Sequence, residues 1–160
     1  MTITGTRTDH LATAARYAAD PDRWPVAPRF SPRGRWYHRL AQDDDHEVWL
    51  LTWLPGQGTG LHDHGGSAGA FLVISGSLVE DTLAVETTPL AGPPKITARE
   101  LAEGAGRRFG PRHIHRVTNS SARPAVSVHV YAPALTTMTR YRIADDGLDV
   151  VSVDRAGAQW

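Results

Sequence analysis

Eight histidines and no cysteine set the chemistry open to this 160-residue chain. Without cysteine there is no disulfide, no thiolate metal site and no cysteine nucleophile, so any metal is held by nitrogen or oxygen. His62 and His64 flank Asp63. On an extended chain, residues two apart point to the same side, so both imidazoles can reach one ion while Asp63 points away. A polar loop with two surface histidines has the same spacing, so the spacing alone decides nothing. A second cluster, His113 and His115 with His129 on a later strand, supplies the further nitrogen a metal site needs. His113 and His115 share a face, and periodicity does not choose between them. Ser127, His129 and Tyr131 alternate along one extended run, which lets all three point into a barrel as a hydrogen-bonded row. Tyr37 and Arg39 likewise share a face.

The elements that must position these residues are short. One helix is predicted early, with Asp9 as its cap and Leu11, Ala14, Ala15 and Ala18 forming an apolar stripe, ending near Asp20-Pro21. Prolines at 25, 28 and 32 keep the next stretch extended, as a strap over the barrel. From there the pattern has period two, and strands are predicted at 36–40, 48–54, 70–74, 77–85, 114–118, 125–131 and 139–143. Gly56, Gly58, Gly60 and Gly76 mark tight turns, and Asp43 to Asp45 reads as a solvated hairpin tip. Trp49 and Trp53 fall on one face of their strand and Val48, Leu50, Thr52 and Leu54 on the other, so one set fills the barrel and the other packs beneath the helix. Both tryptophans are assigned structural roles.

Composition removes several classes of function. Seventeen basic and seventeen acidic side chains cancel, which leaves no global field to attract nucleic acid or an anionic membrane. No apolar run approaches the ~20 residues of a membrane span, and residues 1–8 lack the marks of a signal peptide, so a cytoplasmic location is expected.

Gly56, His62-Asp63-His64, Gly69 and Gly76 follow the spacing of the first cupin motif, except that Gly69 stands where a glutamate ligand usually lies. Gly104, His115 and Asn119 keep part of the second motif, whose usual proline and inner glycine read Gly110 and Arg112. Three histidines without the glutamate, His115-Arg116-Val117-Thr118-Asn119, and the run from Ser127 through His129 and Tyr131 to Pro133 together resemble the cysteine dioxygenase family, in its bacterial arginine-type form. The resemblance covers about residues 36–133.

That resemblance implies a mainly β fold, a cupin jelly-roll β-barrel with a short N-terminal helix. It implies one domain over 1–160: helix and strap at 1–35, metal-binding barrel at 36–133 and C-terminal strands at 134–160. It implies Fe(II) held by His62, His64 and His115, and conversion of L-cysteine and O2 to cysteine sulfinic acid. Three histidines alone would equally suit zinc, nickel or copper, so iron rests on the resemblance. Arg39, beside Tyr37, stands where family members that use cysteine have an arginine; relatives acting on mercaptopropionate tend to have glutamine. Tyr131 is implied to contact the substrate, oriented by His129 and Ser127. In animal members a cysteine cross-linked to the tyrosine occupies the position of Gly69, so Tyr131 must be held here by packing and hydrogen bonds. A cis Ala132-Pro133 bond is expected. The implied partners are a small aminothiol and O2, with no nucleic acid and no membrane, on a monomer. The alternatives are a dioxygenase of 3-mercaptopropionate or another small thiol, a non-catalytic cupin that binds a small ligand through its metal, and a metal-dependent isomerase or epimerase. The last would need a carboxylate base that the motif does not position.

Overall fold

The structure, a computed structural model, describes residues 8–83 and 93–156. Two antiparallel sheets face each other. The first runs in the order β1 (Trp36–Gln42), β2 (Glu47–Trp53), β9 (Ala125–Ala132), β4 (Ala68–Ser75) and β7 (Gly106–Phe109). The second runs β11 (Gly147–Arg155), β10 (Thr137–Ala144), β3 (Leu61–His62), β8 (His115–Thr118), β5 (Ser77–Leu83) and β6 (Ile96–Ala102). All seven predicted strands are present; the last two positions of the one predicted at 77–85 lie outside the described residues.

The central strands of the first sheet are buried on both faces, which is why they read as almost continuous apolar runs. In β9, Val126, Val128 and Val130 point outward and pack with Val48 and Leu50 against Ala14 of α1 (His10–Ala18). Each fully buried Val or Leu side chain contributes roughly 1.5–3 kcal/mol. The alternate residues of the same strands face the interior, where Leu51, Trp53, Phe71, Val73, Phe109 and Tyr131 form the core between the sheets. Small residues let the helix lie close: a Cβ on Gly106 would stand 2.4 Å from a Leu11 methyl.

The helix begins where predicted. Asp9 caps it by accepting the Leu11 and Ala12 amides at 3.1 and 3.3 Å. The same carboxylate takes both arms of Arg108, at 3.0 and 2.8 Å, which ties the start of α1 to β7 and holds the Asp9 pKa down to about 2. After the helix the chain makes a short 3-10 turn, Pro21–Arg23, and the Trp24 indole donates to the Tyr17 carbonyl at 2.8 Å before the strap runs to β1.

The second sheet carries the loop with His62 and His64. β3 is only two residues long, yet His62 pairs with His115 of β8 on one side and with Arg140 of β10 on the other. The sheet therefore continues beyond residue 133, and β10 is a direct neighbour of the His62 strand. Gly76 makes the corner from β4 in one sheet to β5 in the other at φ +75, a conformation that favours glycine. A Cβ there would lie 2.5 Å from the Pro124 carbonyl oxygen. Gly76→Ala is expected to lower stability by about 1–3 kcal/mol in urea unfolding, from strained backbone and that collision. An unchanged midpoint would mean the corner has room to yield.

Candidate metal centre

The residues that could hold an ion meet at the centre of the barrel. His62 is on β3, His115 opens β8, and His64 sits in the turn after β3; all three are buried. Their ring centroids form a nearly regular triangle, with 62–64 at 5.0 Å, 62–115 at 4.7 Å and 64–115 at 4.9 Å. One nitrogen from each lies within 4.8 Å of the others, a spacing that one ion can bridge. Asp63 turns away as expected. Its carboxylate accepts the Gly65 and Thr139 amides at 3.0 Å each and the Tyr141 hydroxyl at 2.7 Å, pinning the loop to β10.

Two of the three rings are set by hydrogen bonds. His62 Nδ1 lies 2.8 Å from the Gly60 carbonyl, which can only accept, so Nδ1 carries the proton and Nε2 is left as a lone-pair donor. His115 Nδ1 lies 2.8 Å from Glu80 Oε1 and is fixed in the same tautomer. Glu80 is completely buried, and it also receives His113 Nε2 at 3.0 Å and Arg107 Nε at 2.6 Å. Burial alone would raise its pKa, but the hydrogen bonds from His113, His115 and Arg107 hold it well below the carboxylate range. This resolves the ambiguity between the two candidate histidines: His115 faces the triangle, while His113 spends its Nε2 on Glu80. Glu80, His113 and His115 could also surround an ion, but the guanidinium of Arg107 already supplies the positive charge there. His64 differs from its neighbours. Both of its nitrogens are buried with no hydrogen-bond partner, an arrangement that is costly in an apolar interior and is relieved if one of them binds a cation. The residues fit a metal held by three neutral imidazoles.

Beside the triangle runs the row on β9. The Trp53 indole donates to Ser127 Oγ at 2.9 Å, Ser127 Oγ lies 2.8 Å from His129 Nε2, and His129 Nδ1 lies 3.3 Å from the Tyr131 hydroxyl. An indole can only donate, so the serine proton is free to go to Nε2, the imidazole N–H to the tyrosine oxygen, and the tyrosine proton outward. Burial, with the charges of His115 and Arg35, brings the His129 pKa down to about 3. Burial pushes the Tyr131 hydroxyl well above its ordinary value, which keeps it a proton donor. The Tyr131 ring stands 5.2 Å from that of His64, so the row ends beside the histidine triangle. Gly69 is the cross-strand partner of Tyr131, and no side chain fits there: a Cβ would lie 1.9 Å from the Val130 carbonyl oxygen. The Ala132-Pro133 bond that follows is cis.

A cavity of about 50 Å³ opens on His62, His115, His129 and Tyr131, lined among others by Arg35, Tyr37, Trp53, Leu135, Met138 and Arg140. Tyr37 is in the cavity wall. Arg39 is not brought in: it is half-exposed over the Trp49 ring, with its guanidinium 3.8 Å from the buried Glu47 carboxylate. Two other arginines line the cavity. Arg140 is bonded to Asp154. Arg35 lies over the Trp53 ring at 5.1 Å and has no carboxylate partner among the described residues; burial lowers its pKa. Sequence reading left Arg35 in the strap, although its parity with Tyr37 and Arg39 marks the same face. It also kept both tryptophans out of the site, whereas Trp49 and Trp53 line the cavity and Trp53 anchors the row.

The buried histidines make the metal-free protein sensitive to acid. His62, His64, His115 and His129 are all depressed, chiefly by burial, so the unfolded chain takes up protons that the folded one refuses. Stability that is intact above the unfolded histidine pKa of about 6.5 falls as pH drops below it, and for His129 the loss continues to about 3. Thermal unfolding of the metal-free chain from about pH 7.5 to 4.5 is expected to show a steadily falling midpoint. A level midpoint would mean that these rings are reached by water.

Residues 8–144 match the family model described as Cysteine dioxygenase type I. The chain is 29% identical over 125 residues to human "Cysteine dioxygenase type 1", an alignment covering 76% of this chain and 62% of that protein. It thus spans less than two thirds of that relative's length. Among solved structures, a Klebsiella pneumoniae protein with a double-stranded β-helix domain superposes with a TM-score of 0.55 at 20% identity, covering 78% of this chain and 90% of that one. An RmlC-like cupin from Desulfovibrio desulfuricans superposes with a TM-score of 0.53 at 14% identity, covering 69% and 93%. These two likenesses concern the fold, which is that of a cupin.

Proposed function

Because the chain belongs to the cysteine dioxygenase type I family, we propose that it is a non-haem Fe(II) thiol dioxygenase that converts L-cysteine and O2 to cysteine sulfinic acid. The observation that carries this reading is the buried triangle of His62, His64 and His115, with both His64 nitrogens unpartnered, next to a cavity that His62, His115 and Tyr131 line. Bound there, iron would supply the redox chemistry that joins O2 to sulfur and would lower the pKa of the incoming thiol, since three neutral ligands leave the charge of the cation undiminished.

The protein's own residues do the rest. The cavity is small and walled by Leu135, Met138 and Trp53, which suits a thiol of a few heavy atoms and keeps bulk water out. Tyr131 presents its O–H as a donor, held in direction by His129, Ser127 and Trp53. Arg35 is a cation in the wall with no carboxylate partner among the described residues, and it faces the substrate carboxylate. Arg39, assigned that contact on the resemblance, is engaged with Glu47, whose carboxylate also receives the Leu135 amide at 2.8 Å; its role is to secure the cavity wall.

Anaerobic loading with Fe(II), then L-cysteine and oxygen, is expected to give one sulfinate per O2 consumed, and none in His115→Ala. Uptake with 3-mercaptopropionate alone would move the substrate, and thiol binding without uptake would make the protein a ligand-binding cupin. Arg35→Gln is expected to raise KM for cysteine by about 10- to 100-fold, the loss of a charge-assisted hydrogen bond, with Arg39→Gln within about threefold of the parent. The reverse pattern in steady-state kinetics would return the carboxylate to Arg39.

A further inference from the structure

His62 and His115 each have a hydrogen bond that fixes the ring, and His64 has none. Its orientation must come from packing. Phe109 provides it, lying face to face with His64 at 4.6 Å and an interplanar angle of 24°. The other contacts of that ring are edge-on or tilted ones to His62, His115 and Tyr131, none of which lies flat against it. Phe109 itself is buried and held on two sides. His113 stacks on it at 5.5 Å and 15°, and His113 is pinned by Glu80. On the neighbouring strand Gly69 is its register partner, and the ring tip fills the space a side chain at 69 would need, 2.9 Å from the position of a Cβ.

We propose that Phe109 is the positioning residue of His64, and that Glu80 reaches the metal centre by two routes: a hydrogen bond to His115, and a stack through His113 and Phe109 to His64. The inference rests on the metal-centre reading above. It accounts for glycine at 69, since even a methyl group there meets the Phe109 ring as well as the Val130 carbonyl. An aromatic plane fixes tilt without supplying an acceptor. His64 is therefore held for an ion with neither nitrogen already committed.

The test is Co(II) binding, followed by the ligand-field absorption of the bound ion. Phe109→Leu keeps an apolar side chain and removes the plane. It is expected to weaken Co(II) binding about tenfold and to change the absorption bands, as loss of an orienting partner does for other histidine ligands. In a His64→Ala background the same substitution is expected to change neither, because the ring it steers is gone. Phe109→Leu with parental affinity and spectrum would overturn the proposal, and so would an equal loss in the His64→Ala background, which would signify a general packing defect. A parent chain that binds no Co(II) would overturn the metal centre and this inference together. Normal Co(II) behaviour without oxygen uptake in the iron form would overturn the dioxygenase reading alone.

Discussion

One buried carboxylate organises the centre of this protein. Glu80 is removed from water altogether, a placement that costs several kcal/mol unless the charge is matched. Arg107 matches it on one oxygen, and His113 and His115 share the other. In return the carboxylate dictates which nitrogen of His115 carries the proton and which of two neighbouring histidines faces the cavity. The strand pairing makes this possible. β5 lies beside β8, with Thr82 opposite His115, so the acid and its histidine are adjacent in the sheet although 35 positions apart in the chain.

That distance explains what could be read from the sequence and what could not. Local features were legible: the Asp9 cap, the strands whose period-two pattern is strong, the two-residue spacing of His62 and His64, and the alternation of Ser127, His129 and Tyr131. Strands with little local signal were missed. β3 is two residues long, β6 exposes nearly every residue and β7 has four. The partners of the site were missed for a related reason. Glu80, Phe109 and Trp53 acquire their roles only through pairings across sheets, and nothing in their immediate neighbours announces them.

Arg35 and Arg39 show how register decides between similar residues. Both follow the parity of Tyr37, so both qualify by periodicity. The pairing of β1 with β2 sets Arg39 opposite Trp49, next to the buried Glu47, while the start of the strand, with Trp36 opposite Thr52, brings Arg35 over Trp53. An anion waiting within the protein claims one guanidinium, and the other faces the cavity.

The two-sidedness of β9 has a consequence for how such a protein can change over evolutionary time. Its even-numbered valines carry the attachment to α1 and its odd-numbered residues carry the polar row. The attachment of the helix and the polar row are thus recorded on opposite parities of one eight-residue strand. Lineages could rewrite the inward residues, and with them the lining of the cavity, while the outward ones go on specifying the same barrel. An insertion or deletion of a single residue would exchange the two texts and lose both.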